Sequence, residues 1–474
     1  MLFNSISFLL FFPVVCALYY SIPAERLQAR NVLLLTASYY FYMSWQPAYA
    51  LLLLTSTVVT WAAALAMERT ARRCCRLRWL VACIVLNLGI LFLFKYYNFL
   101  GSSLSDLLQA CRVQLSVPRF GLLLPVGISF YTFQALGYSV DVYRGTVQAE
   151  RNFLVYALFV SFFPQLVAGP IERSAHLLPQ FHRHHTVDFE RIVSGIRMMI
   201  WGYFLKLVVA DRCAICVDTV FNSLSDQDGG TCLIATLLFP FQIYGDFAGY
   251  SLIAIGTARV LGFRLMQNFR SPYLSCSVGE FWHRWHISLS TWFRDYVYIP
   301  LGGNRTGRQR QYLNLLLTFT VSGLWHGANW TFVCWGLMHG VVLCVEKAFG
   351  IGRHQYAGVW RLLHWAVTFC FVCLAWVMFR AATVADAFTV YTAIFSSLCL
   401  PSISFAMFTE VCLSVVVVGA MAVLELAGGD RPAVRPVSSD SGLQLCRQCC
   451  MVGLLAVLLL FGVLGGDQFI YFQF

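Results

Sequence analysis

The sequence predicts an all-α polytopic membrane protein, a single membrane domain over residues 1–474 built from about ten to twelve transmembrane or re-entrant helices. Three observations carry this. Hydrophobic residues make up 59% of the chain and charged residues only 12%, against about a quarter charged in a soluble domain. Apolar runs long enough to cross a bilayer recur along the whole chain. Between them lie short basic stretches: 33 Lys and Arg against 22 Asp and Glu give a net charge of +11, which in such a chain reports loops beside anionic lipid. No interleaved basic and aromatic surface argues for a nucleic acid partner.

Taken in order, residues 8–20 form the first span, and no small-residue cleavage site follows, so it reads as a retained helix. Residues 31–45 and 49–67 follow, divided by Gln46-Pro47. The stretch 68–78 carries five arginines and is the strongest cytoplasmic marker. Residues 79–100 then cross outward, and 120–140, with Pro125 and Gly127, return. In 153–171, Pro164, Gly169 and Pro170 predict a broken or re-entrant segment whose flanks stay on one side. The loop that follows holds Phe181-His-Arg-His-His185, which reads as a basic interfacial loop before it reads as a metal site.

Residues 192–210 and 231–256 are further spans. Residues 262–310 differ: Phe281, Trp282, Trp285, Trp292, Phe293, Tyr296 and Tyr298 among Arg and His predict helices lying partly in the membrane plane. Apolar spans at about 360–379, 388–400, 408–426 and 451–464 close the chain, and the polar loop 428–447 reads as cytoplasmic. Many of the 18 cysteines sit inside apolar runs, where Cys behaves as a small hydrophobe. Cys213-Ala-Ile-Cys216 and Cys446-Arg-Gln-Cys449-Cys450 have metal-like spacing but lack supporting histidines, so no metal is expected.

Chemistry is expected where ionisable groups interrupt apolar runs, because hydrocarbon penalises them unless they meet a partner or water. His326 does so in Ser322-Gly-Leu-Trp-His-Gly-Ala-Asn-Trp330, between apolar runs 312–321 and 331–345, with Gly323 and Gly327 freeing the backbone beside it. The competing reading is a packed, hydrogen-bonded histidine. Asp246, in Tyr244-Gly-Asp-Phe-Ala-Gly-Tyr-Ser251, either contacts substrate or forms an ion pair with a nearby Arg. In Ser277-Val-Gly-Glu-Phe-Trp-His-Arg-Trp-His-Ile-Ser-Leu-Ser290, Glu280, His283 and His286 drift round a helix too far for good metal ligation, so the favoured reading is His286 projecting toward His326. Two neutral imidazoles at one site would share proton transfers near neutral pH. His283 and Arg284 read as snorkelling at the interface, and His339 as a packing or hydrogen-bonding residue.

Several longer stretches carry a resemblance: Met1-Leu-Phe-Asn-Ser5, Leu124-Pro-Val-Gly-Ile-Ser-Phe-Tyr-Thr-Phe133, Phe163-Pro-Gln-Leu-Val-Ala-Gly-Pro-Ile171, Asp246-Phe-Ala-Gly-Tyr-Ser251, Phe281-Trp-His-Arg-Trp-His-Ile-Ser-Leu-Ser290, Arg294-Asp-Tyr-Val-Tyr-Ile-Pro-Leu-Gly-Gly-Asn304 and Gly323-Leu-Trp-His-Gly-Ala-Asn-Trp330. On these the chain resembles the membrane-bound O-acyltransferase (MBOAT) family, and within it the bacterial alginate O-acetyltransferase branch. The resemblance implies a ring of helices around a central tunnel, in a bacterial inner membrane, that brings a cytoplasmic donor, acetyl-CoA, to an extracytoplasmic polysaccharide. It matches His326 to the family's catalytic histidine and His286 to its second histidine. It also implies a separate periplasmic acetyltransferase or esterase-like partner.

His326 would then act as general base on, or hold, the acceptor hydroxyl. Asn329 and Trp325 would be polar handles for the oxyanion or leaving group, although Asn329 could equally cap a helix. The end of the chain, Phe469-Ile-Tyr-Phe-Gln-Phe474, resembles the ends of this branch: Tyr471 is either a transient acyl carrier or an aromatic anchor at the membrane surface. Two other classes remain: a transporter or flippase of a lipid-linked sugar, whose polar midplane residues bind without reacting, and a scaffold for an export complex.

Overall fold

The computed structural model describes residues 1–113, 117–121, 123–167, 169–305, 307–352, 356–428 and 441–463; the side chains of 427–448 and 450 are outside that description. Among the described residues the regular structure is entirely helical. Packing divides the chain into two compact units, Met1–Gly195 with Ala254–Met266, and Ile196–Ile253 with Gln267–Phe474.

The first unit begins with α1 (Ile6–Ser21), α2 (Leu27–Met43), α3 (Ala50–Arg69) and α4 (Arg73–Leu91). A π turn, Phe92–Tyr96, joins α4 to α5 (Tyr97–Ala110), so the span read over 79–100 is part of one longer run. Then α6 (Ile128–Arg144) starts later than the apolar pattern suggested, because Pro125 and the left-handed Gly127 (φ 75°) hold the preceding chain out of helix. A side chain at Gly127 would lie 2.8 Å from the Leu166 carbonyl, so the glycine is also required for that approach.

The break expected in 153–171 is present. α7 (Phe153–Ser161) stops at Phe162, and the one-turn α8 (Phe163–Leu166) follows; Ser38 Oγ accepts from the Phe163 amide that the break frees, at 3.0 Å. Some buried polar groups of this unit pair with one another: Ser56 donates to Asn87 at 2.6 Å, and Tyr156 to Thr60 at 2.6 Å.

After α9 (Ser174–Leu177), the histidines of the loop turn to separate acceptors. His176 meets Glu172 at 2.7 Å, His182 meets Glu150 at 2.8 Å, and His184 meets the Ala24 carbonyl at 2.7 Å. Arg76, from the basic stretch, donates to the Val142 and Tyr143 carbonyls at the end of α6, where the helix dipole favours a cation.

α10 (Phe189–Tyr203) passes through a seven-residue π turn, Phe204–Ala210, into α11 (Asp211–Phe221). α12 (Gly229–Val260) follows. Within the second unit, α12 lies so close to the π turn that a Cβ on Gly245 would be 2.7 Å from the Leu205 carbonyl, and one on Gly249 2.7 Å from that of Gly202.

The segment predicted to lie partly in the membrane plane folds as short helices: α13 (Val278–Arg284), α14 (Ile287–Phe293) and a π turn, Arg294–Tyr298. Phe281, Trp282, Trp285, Trp292 and Phe293 are buried against other rings of this unit.

α15 (Arg308–His326) and α16 (Trp330–Phe349) form an antiparallel hairpin. Its seam is glycine: a Cβ on Gly323 would sit 2.2 Å from the Phe332 carbonyl, and one on Gly336 2.3 Å from that of Phe319. No side chain larger than hydrogen lets these backbones approach so closely. His326 is therefore at the hairpin tip, between the two apolar runs that flank it in sequence.

α17 (Gly358–Arg380), α18 (Val384–Ser396), α19 (Phe405–Gly428) and α20 (Ser441–Phe461) complete the chain. The cytoplasmic loop read over 428–447 and Tyr471 fall largely or wholly outside the described residues. Among the described residues seven helices are long and apolar enough to cross a membrane, and four shorter apolar helices accompany them, in keeping with ten to twelve predicted segments.

Candidate active site

α15 ends at His326 because Gly327 is extended (φ −157°, ψ 149°) and because the next helix takes its cap from Asn329. The Asn329 carbonyl oxygen, Oδ1, accepts from the Thr331 amide at 3.2 Å, while Nδ2 donates to the Ala382 carbonyl at 2.8 Å. Asn329 thus caps α16 and ties the hairpin tip to the start of α18. Gly327 leaves the space that the Phe332 ring occupies: a Cβ there would fall 2.0 Å from the ring.

The His326 side chain is 3% exposed and sits in a box of rings. Trp335 stands edge-on to it at 5.1 Å between ring centres, Phe379 at 5.4 Å and Trp325 at 4.9 Å. The remaining face looks at His286, whose ring centre is 6.5 Å away. Two imidazoles sharing a direct N–H···N bond would have centres about 5 Å apart, so the observed gap suits one oxygen atom held between them.

His286 is held differently. α13 ends at Arg284 and α14 begins at Ile287, and His286 between them adopts a left-handed backbone (φ 42°, ψ 54°), which costs a non-glycine residue about 1–2 kcal/mol. It is fully buried, edge-on to Phe247 at 4.6 Å, and neither ring nitrogen has a hydrogen-bond partner among the described residues. Burial favours its neutral form over the imidazolium, pushing its pKa down. A strained backbone carrying a buried, neutral base facing a second histidine is an arrangement suited to proton transfer.

The helix break between His283 and His286 also removes the shared face on which Glu280, His283 and His286 were weighed as metal ligands. Glu280 pairs with Arg284 at 2.9 Å and accepts from the Cys276 amide at 2.8 Å. His283 is exposed. Among the described residues no group of three His, Cys, Asp or Glu is placed to hold a metal ion. His339, on α16, accepts at Nδ1 from the Trp282 indole at 3.2 Å, which agrees with its reading as a hydrogen-bonding residue.

Asp246 reaches Lys206 Nζ at 2.7 Å, and the same ammonium meets Asp211 at 2.8 Å. All three side chains are buried, and the Tyr250 ring lies over Lys206 at 5.7 Å. The ion pair anticipated for Asp246 exists, but its cation is a lysine where an arginine was expected. Lys206 could have been found by the reasoning that found Asp246, since it too interrupts an apolar run. Asn268, described below, offered no such signal, being a polar residue in a loop.

A cavity of about 750 Å³ is bordered by Ile287, the residue after His286, and by Ser322, one turn before His326, with Thr318, Phe319 and Trp282 in its wall and Arg294 and Lys347 among its charged lining.

The profile of the membrane-bound O-acyltransferase family matches residues 148–385, a span that holds both histidines. The chain is 43% identical over 399 residues to the probable alginate O-acetylase AlgI of Pseudomonas aeruginosa, covering 84% of this chain and 75% of that protein. It is 44% identical over 399 residues to the protein of the same description from Azotobacter vinelandii, covering 84% and 78%. To the peptidoglycan O-acetyltransferase of Helicobacter pylori it is 35% identical over 423 residues, covering 82% and 79%. With its multiple apolar helices, this chain belongs to the membrane-bound O-acyltransferase family and is a multi-pass membrane O-acyltransferase.

Proposed function

We propose that the chain transfers an acetyl group from cytoplasmic acetyl-CoA, across a bacterial inner membrane, toward hydroxyls of an extracytoplasmic polysaccharide such as alginate. The observation that carries this reading is the pair of buried histidines facing one another across 6.5 Å, with Trp325, Trp335 and Phe379 excluding water from His326. Similarity to proteins described as alginate O-acetylases and a peptidoglycan O-acetyltransferase supports acetyl as the group and a polysaccharide as its destination.

In this mechanism the unprotonated nitrogen of His326 accepts the proton of an acceptor hydroxyl as its oxygen attacks the thioester carbonyl. The C–O bond forms, the C–S bond breaks, and the proton passes to the departing CoA sulfur. His286, neutral and facing the same space, orients the hydroxyl by hydrogen bonding. Trp325 would donate its indole N–H to the developing oxyanion. Asn329 acts by fixing the hairpin tip, and Asp246 by holding α12 through Lys206.

A periplasmic esterase-like partner completes delivery to the polymer, and Tyr471 is the hydroxyl through which an acyl group would be relayed covalently. Tyr471→Phe protein that inserts normally yet no longer acetylates the acceptor supports that relay; unchanged acetylation removes it.

Inverted membrane vesicles carrying the parent or His326→Ala protein, given radiolabelled acetyl-CoA, test the whole reading. Label entering protein, lipid or polysaccharide with the parent and lost with the variant at equal protein level is the expected result. Equal label in both would overturn it, and would favour a transporter or scaffold.

A further inference from the structure

We propose that Asn268 is a positioning residue for acyl transfer, the centre of a Ser251–Asn268–Ser288 clamp that keeps His286 aimed at His326. The inference rests on the catalytic reading of those histidines. A left-handed histidine between two short helices has no intrinsic reason to stay there; relaxing to an ordinary backbone would swing its ring away. Something must over-determine the bend.

Asn268 does so from both its backbone and its side chain. Its carbonyl accepts from the Ile287 amide at 2.9 Å, and its Oδ1 accepts from the Ser288 hydroxyl at 2.6 Å and the Ser288 amide at 3.4 Å. The two residues that follow His286 are therefore anchored to one asparagine. That asparagine is anchored in turn: its Nδ2 donates to Ser251 Oγ at 3.0 Å, on α12, the helix that also presents Phe247 edge-on to the His286 ring.

Asn268, Ser251 and Ser288 are all buried, at 1% exposure or less, so no water competes for these bonds. An asparagine suits the position because it accepts and donates at once, which no carboxylate or hydroxyl of this reach does with the same geometry. The clamp holds the backbone that follows His286, whose ring has no hydrogen-bond partner among the described residues.

The test uses the full-length protein in inverted vesicles with radiolabelled acetyl-CoA, with rates normalised to folded protein measured as a monodisperse peak. Asn268→Ala should lower kcat about ten- to a hundredfold while KM for acetyl-CoA stays within about twofold, as expected for misplacing a catalytic group. Ser288→Ala, which removes the shortest bond from the other end, should act in the same sense more mildly. It also serves if Asn268→Ala fails to fold. In a His286→Ala background, adding Asn268→Ala or Ser288→Ala should change nothing further, since the clamp works through that ring.

Parental kcat in folded Asn268→Ala or Ser288→Ala protein would overturn the proposal, as would an undiminished extra loss in the His286→Ala background. His326→Ala, run alongside, separates the two readings. If it abolishes transfer while the clamp variants match the parent, only the clamp is wrong; if it leaves transfer intact, the catalytic reading itself falls.

Discussion

Two groups of histidines, one in each unit, are held in opposite ways. In the first, His176, His182 and His184 each reach a carboxylate or carbonyl at 2.7–2.8 Å and stand partly or wholly exposed. In the second, His286, His326 and His339 are buried among indoles and phenyl rings. The first group is denser in sequence and looks more like a binding motif. Yet each of its rings is already committed to a local acceptor, while the sparse group holds two buried imidazoles toward one another. Clustering in sequence reports loop chemistry here; isolation in apolar sequence marks the candidate site.

The sharpest way to break this contrast is to remove one ring from each unit. His326→Ala should lower acetyl transfer at least about a hundredfold, the scale of a positioned general base. His182→Ala and His184→Ala should leave it within about twofold. Vesicle assays at equal protein level measure both, and comparable losses from the two groups would erase the distinction.

The next largest effect concerns the buried ions of the second unit. Lys206→Met leaves Asp211 and Asp246 together without their shared cation, and breaking such a buried pair typically costs about 3–5 kcal/mol. The melting temperature in detergent should drop sharply. Asp246→Asn distinguishes structure from substrate contact: a lower melting temperature with unchanged KM assigns Asp246 to holding α12, and a raised KM with unchanged melting temperature assigns it to substrate.

Much of this was legible beforehand, for identifiable reasons. Apolar runs fix helices because hydrocarbon leaves the backbone no other partner, and Pro164 and Gly169 marked the broken segment through their own geometry. His326 and Asp246 stood out because polarity in an apolar run is costly. What stayed hidden depends on distant pairing. That Arg294, Trp282 and Ser322 border one cavity, that Asn268 clamps Ser288, and that the aromatics of 281–293 face protein are facts of packing between segments far apart in sequence. Periodicity describes one element at a time. It marked the aromatic segment and could not name its neighbours.

The smallest effect tests the first unit alone. The Glu172 carboxyl is driven up by burial, while His176 is raised chiefly by its hydrogen bond to Glu172. A raised histidine gives stability that is complete below its ordinary value of 6.5 and lost as pH climbs through the higher folded value. A raised, buried carboxyl works in the same sense, since the folded loop holds its proton longer than the unfolded chain and loses stability as pH rises above 4.5. Both terms weaken the loop on going from acid to alkaline pH.

Amide exchange over 172–177 and at Met266, whose amide donates to Glu172, should therefore lose protection between pH 5 and 8, by about two- to threefold given the half-exposed ring. His176→Ala should flatten that dependence, and transfer activity should not follow it. If activity instead tracks the protection of this loop, the histidines of the first unit are coupled to turnover, and the division between committed and catalytic histidines would have to be redrawn.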